Sequence, residues 1–70
     1  MEKNDFYKKL GKKLKKLRRV NNVSQETIGD IIGIHQTAVC RVEKGHQKLT
    51  AHELYLLAEF YKISVSSILQ

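Results

Sequence analysis

An all-α fold of five helices is predicted by three observations. Apolar residues recur every three or four positions along most of the chain, which is helical spacing. There is no proline and no β-branched run with period two, so helix interiors are unbroken and strands lack support. Asparagine, serine, threonine and glycine fall between the periodic stretches, where helices stop and start.

The first helix is expected from about Asp5 to Val20. Phe6, Leu10, Leu14 and Leu17 form one stripe, with Lys8, Lys12, Lys15 and Arg19 on the opposite face. Gly11 costs about 1 kcal/mol relative to alanine in a helix interior, a cost that close backbone packing would explain. Asn21-Asn22 ends the helix, because asparagine tolerates a left-handed C-terminal cap. Ser24 is a good N-cap for a second helix, about Gln25–Ile32, with Ile28 and Ile32 facing inward. Gly33 permits the positive φ of a turn, and Ile34 plugs that turn into the core. A third helix, about Gln36–Lys44, turns Val39 and Val42 inward and ends at Gly45. After a polar loop, Thr50-Ala51-His52-Glu53 has the spacing of a capping box and opens a fourth helix, about Ala51–Tyr61. Leu54, Leu57, Ala58 and Tyr61 are its expected core stripe. Ser64 caps a last short helix, Val65–Leu69.

Two short helices joined by a tight turn, over Ser24–Gly45, form the pattern of a DNA-binding helix-turn-helix, the motif proper lying at about 25–44. With Val39 and Val42 inward, Gln36, Thr37, Cys40 and Arg41 are expected to point outward. Glutamine can pair bidentately with adenine, and arginine with guanine, in the major groove. Backbone N–H groups at the start of the second helix favour a phosphate oxygen, and Gln25 adds a donor there. Lys44, Gln47 and Lys48 could meet the DNA backbone or stand as exposed loop residues, and His35 could touch phosphate or be a plain turn residue. An oxidation-sensitive Cys40 would need a low thiolate pKa, and a small residue that merely fits is the simpler reading.

Bulk properties narrow the function classes. Residues 1–70 are expected to form one domain, small enough to be marginal without a partner. Cys40 is the only cysteine, so no disulfide can form within the chain, and a single thiol suits a reducing cytosol. His35, His46 and His52 lack ligand spacing, so neither metal nor cofactor is expected. No apolar run approaches the roughly 20 residues of a membrane span, and no secretory signal leads the chain, which makes a cytoplasmic protein the expectation. No nucleophile–base order, carboxylate pair or phosphate-cradling loop supports catalysis, so the chain is expected not to be an enzyme.

The net charge of +6 points to an anionic partner. Residues 1–20 hold nine Lys/Arg against Glu2 and Asp5, or +7, and the remainder holds four against five acids, or −1. The lysine face, Lys8 and Lys12 included, can supply phosphate contacts, can be a solvated face, or can bind an acidic membrane. The membrane reading competes with the need for the apolar stripe in the core.

Leu10-Gly11, Leu14, Leu17-Arg18, Ser24-Gln25-Glu26, Gly33, Arg41-Val42-Glu43-Lys44-Gly45, Ala58, Ile63-Ser64 and Ile68-Leu69 together resemble the lambda-repressor-like (Cro/XRE-type) helix-turn-helix family. The resemblance covers about residues 8–69. It implies a compact five-helix bundle that binds double-stranded DNA sequence-specifically as a dimer. It implies that Gln25 contacts phosphate and braces the recognition helix, and that Gln36, Thr37 and Arg41 read bases. It also implies a buried ion pair between Arg18 and Glu43. Gly29 in place of the more usual alanine is expected to loosen the second helix, Cys40 stands where serine is frequent, and the lysine density of the first helix exceeds the pattern. The function expected is a transcription regulator, a repressor on a two-fold related operator. Tyr55, Leu56, Phe60, Ile68 and Leu69 are the candidates for a homodimer contact, or else core and scattered exposed residues. With nothing after the fifth helix, no inducer-binding or protease-sensitive domain is expected. The alternative is an interaction module, an antirepressor or controller acting on another regulatory protein.

Overall fold

The chain forms five helices: α1 Lys3–Val20, α2 Gln25–Ile32, α3 Gln36–Glu43, α4 Ala51–Tyr61 and α5 Val65–Leu69. This computed structural model describes the backbone of residues 3–70 and the side chains from Asp5 onward. Glu2 and the Lys3 side chain, counted in the basic first stretch, lie outside the described residues. No strand occurs among the described residues, as expected. α1 starts two residues earlier than the periodicity predicts, and α3 ends at Glu43 with Lys44 as its C-cap.

The predicted caps form. Ser24 Oγ accepts from the Thr27 N–H at 3.0 Å, and Ser64 Oγ from the Ser67 N–H at 3.1 Å. Thr50 and Glu53 exchange side-chain-to-backbone bonds of 3.1 and 2.9 Å, completing the capping box. The helix ends are tied as well. Val23 N–H returns to the Arg18 carbonyl, His46 to Arg41 and Ile63 to Ala58. Each is the long bond of a Schellman closure, which needs a left-handed residue just before it. Asn22 (φ 55°) supplies it after α1, Gly45 (φ 81°) after α3 and Lys62 (φ 57°) after α4.

Lysine is the poorest choice of the three, since a Cβ crowds the carbonyl in this conformation. Lys62→Gly is expected to stabilise the fold by about 1 kcal/mol, net of glycine's extra unfolded-state entropy. Chemical denaturation monitored by circular dichroism would show this as a higher midpoint at unchanged slope.

One core joins all five helices: Leu10 and Leu14, Ile28 and Ile32, Val39 and Val42, Leu57 and Ala58, and Ile68. α2 packs on α3 and α4, α1 on α3 and α5, and α4 on α5. Leu17, Ile34, Leu54 and Tyr61 pack against this core half-buried, while Phe6 at the start of α1 is 38% exposed.

Two expectations need correction. Ile68 is 1% exposed and closes the bundle from α5, so it belongs to the core and not to a dimer surface. Leu56 is half-buried against the same core and does not stand clear of it. At Gly29 a Cβ would collide with the Ile34 carbonyl oxygen, so the glycine lets the turn close down on α2.

Candidate nucleic-acid interface

α3 is fixed on its buried side by one carboxylate. Glu43, at the end of α3, faces α1 and α2. Arg18 donates to it through Nε at 2.7 Å and Nη2 at 3.2 Å, and Gln25 donates through Nε2 at 3.0 Å. Arg18 Nη1 donates to the Val23 carbonyl at 3.0 Å, which anchors the α1–α2 turn to the same guanidinium. The side chains of Arg18 and Glu43 are 14% and 5% exposed. The Glu43 side chain is buried and that of Arg18 largely so, the contact is bidentate, and no buried side-chain polar atom among the described residues lacks a partner, the geometry in which removal from water is best offset. The hydrogen bond to Glu43 raises the Arg18 guanidinium further above its ordinary range, against the lowering effect of burial, so it stays charged. Burial first, and the Glu43 carboxylate second, push the nearby Tyr61 hydroxyl up.

The opposite side of α3 faces solvent. Gln36, Thr37 and Arg41 are exposed along it, as the inward turn of Val39 and Val42 predicts. Cys40 departs from the expectation: it is half-buried on the flank of the helix, behind the exposed row. His35 is neither a plain turn residue nor a free side chain. It is the N-cap of α3, its Nδ1 accepting from the Thr37 N–H at 3.1 Å and lying 2.9 Å from Thr37 Oγ1.

The remaining candidates lie around this row. Gln25, half-buried at the start of α2, commits one amide donor to Glu43 and so braces α3. Arg41 Nε donates to Gln47 Oε1 at 3.0 Å, which makes Gln47 a partner of Arg41 and not a free loop residue. Lys44 is exposed at the end of α3, and the Lys48 ammonium sits 5.7 Å from the centre of the Tyr7 ring. Lys8 runs beside Gly45 in the turn after α3, and Lys12 is exposed one turn further along α1. Lys15 and Arg19 were not singled out from the sequence, yet they share an open concavity with Gln25 and Gln36. The signal was present in the stripe Lys8, Lys12, Lys15, Arg19, which runs along one edge of α1. The structure places the Lys8 end of that edge beside Gly45, just after α3, and the Lys15 and Arg19 end in the concavity shared with Gln36 at the start of α3. Of the dimer candidates, Tyr55 (54%), Phe60 (40%) and Leu69 (43%) are the exposed ones.

Residues 14–68 match the family described as helix-turn-helix. The chain belongs to that family. This helix-turn-helix protein is 32% identical over 65 residues to Control protein C.SmaI of Serratia marcescens, covering 93% of this chain and 77% of that protein. The crystal structure of the restriction-modification controller protein C.AhdI from Aeromonas hydrophila superposes on it with a TM-score of 0.80 at 27% identity, over 89% of this chain and 94% of that one. The five-helix fold and the Cro/XRE-type family expected from the sequence are thereby established, and with them the class of DNA-binding transcription regulator. The matched segment contains Arg18, Gln25, Gln36, Arg41 and Glu43, whereas Lys8 and Lys12 precede it. Among the described residues no helix is long and apolar enough to cross a membrane.

Proposed function

We propose that this regulator binds a two-fold related operator as a homodimer, each α3 lying in a major groove about 34 Å from its partner. We further propose that it serves as a restriction-modification controller, the role that the C.AhdI description names. The observation that carries the reading is the two-sidedness of α3. Its inward side is bolted to α1 and α2 through Glu43, and its outward side presents Gln36, Thr37 and Arg41 to solvent. A rigid helix with an exposed polar row suits base reading, because discrimination depends on a fixed docking angle. The exposed Tyr55, Phe60 and Leu69 supply apolar surface for a second copy.

Selection from a random duplex library tests this. Enrichment of a palindrome that is lost in Gln36→Ala/Arg41→Ala is the expected result, each lost bidentate contact costing about 1–3 kcal/mol of discrimination. Weak, salt-sensitive binding to every sequence would instead favour an antirepressor-type interaction module.

Phosphate contacts are assigned to the basic edge of α1. Lys8→Glu with Lys12→Glu is expected to weaken binding to all sequences alike. The slope of log K against log salt should flatten by about 0.9 for each contact removed. A salt titration showing wild-type slope and affinity would remove α1 from the interface.

A further inference from the structure

Gln47 came into the site by an unexpected route, through a hydrogen bond to Arg41. We propose that Gln47 is a positioning residue for base recognition: it holds the Arg41 guanidinium at Nε, so that the two terminal nitrogens face outward as the reading fork. The inference rests on the proposed major-groove role of α3.

The geometry supports it at three points. The first is the bond itself, Arg41 Nε to Gln47 Oε1 at 3.0 Å. A guanidinium can approach a guanine edge through Nε and one terminal nitrogen, or through both terminal nitrogens. Occupying Nε removes the first option and leaves the end-on fork. The second is that Gln47 is presented by a pinned turn. His46 N–H bonds to the Arg41 carbonyl at 2.8 Å and Gly45 N–H to the Val42 carbonyl at 3.0 Å, so the chain doubles back beside Arg41. Gly45 packs against the Lys8 backbone, and the Lys48 ammonium caps the Tyr7 ring, so both flanks of Gln47 are held to α1. The third is burial: Gln47 is half-buried while Arg41 is exposed, so the acceptor is the more fixed partner. An exposed arginine loses much rotamer freedom when it docks, and fixing it beforehand reduces that loss.

The test is base preference, position by position, from selection on random duplexes. Wild type is expected to enrich a site with a guanine in each half that Arg41→Ala no longer selects. Gln47→Met keeps the length and removes the acceptor, and should lower that guanine preference about five- to tenfold while the other positions keep theirs. Gln47→Glu restores the acceptor and should restore the preference at that position, though its charge weakens binding overall. In the Arg41→Ala background, Gln47→Met should have no further effect at that position. Wild-type preference in Gln47→Met, or uniform weakening across all sequences, would overturn the positioning role and leave the DNA-reading function standing. A wild-type protein that enriches no sequence would remove both.

Discussion

Glu43→Ala is expected to cost about 3–5 kcal/mol of folding stability, the range for removing one partner of a buried ion pair. The substitution leaves Arg18 charged at 14% side-chain exposure and takes the acceptor from Gln25. Three helices lose their shared tie in one step. A chain of 70 residues has a total stability of about 4–10 kcal/mol, so much or all of it would go. Urea denaturation followed by circular dichroism measures the effect. Arg18→Met combined with Glu43→Leu should recover most of the loss, because two apolar side chains leave no uncompensated charge. A loss below about 1 kcal/mol in Glu43→Ala would mean that the pair behaves as if it were in water. Because the same carboxylate orients α3, the refolded apolar double variant should also show altered base selection, which separates orientation from stability.

Gly11→Ala carries the second large effect, and its sign runs against helix propensity. In an open helix the change would gain about 1 kcal/mol. Here a Cβ at residue 11 would lie 2.5 Å from both the Val42 and Glu43 carbonyl oxygens and 2.8 Å from the Glu43 carbonyl carbon. These are backbone atoms, so no side-chain rotation relieves the overlap, and α1 and α3 must separate. Overpacking of this kind costs about 1–3 kcal/mol, occasionally more, and the nearby Arg18–Glu43 geometry would be strained with it. The expected net result is a destabilisation of about 2 kcal/mol, read as a lower thermal midpoint. A stabilised Gly11→Ala would show that the helices part without penalty.

Gly11 also illustrates what a sequence can and cannot convey. Its presence inside a helical pattern flags close packing, but the pattern does not say against what; the partner lies more than thirty residues away at Val42 and Glu43. Local signals carried the fold well. Ser24, Ser64 and the Thr50–Glu53 box are short-range chemistry, and the helices they open begin where that chemistry puts them. The capping role of His35 escaped notice because histidine is not among the usual capping residues, although its Nδ1 can accept a backbone N–H. Lys62 escaped because a left-handed lysine is sterically costly and the chain gives no local hint of it. Ile68 was misplaced because a five-residue helix has too few positions for its inward face to be read from periodicity. At the site, the outward row was legible from the inward valines, while Cys40 on its flank was not, since two valines fix a direction and not the width of the buried arc. The bond between Arg41 and Gln47 depends on the turn at Gly45, a tertiary detail beyond any residue pattern.

The tie at Glu43 has a consequence for how such a regulator diversifies. The side-chain tie that holds α3 converges on the buried Glu43 carboxylate, while Gln36 and Arg41 stand in solvent. With those two as the proposed base readers, exchanges at them leave the buried tie intact and would let operator preference drift one substitution at a time. The frame that holds them tolerates less change, because removing a member of it threatens the fold. On that reading, two copies of such a regulator would become insulated from one another by changing a few letters on one helix, with the architecture held constant.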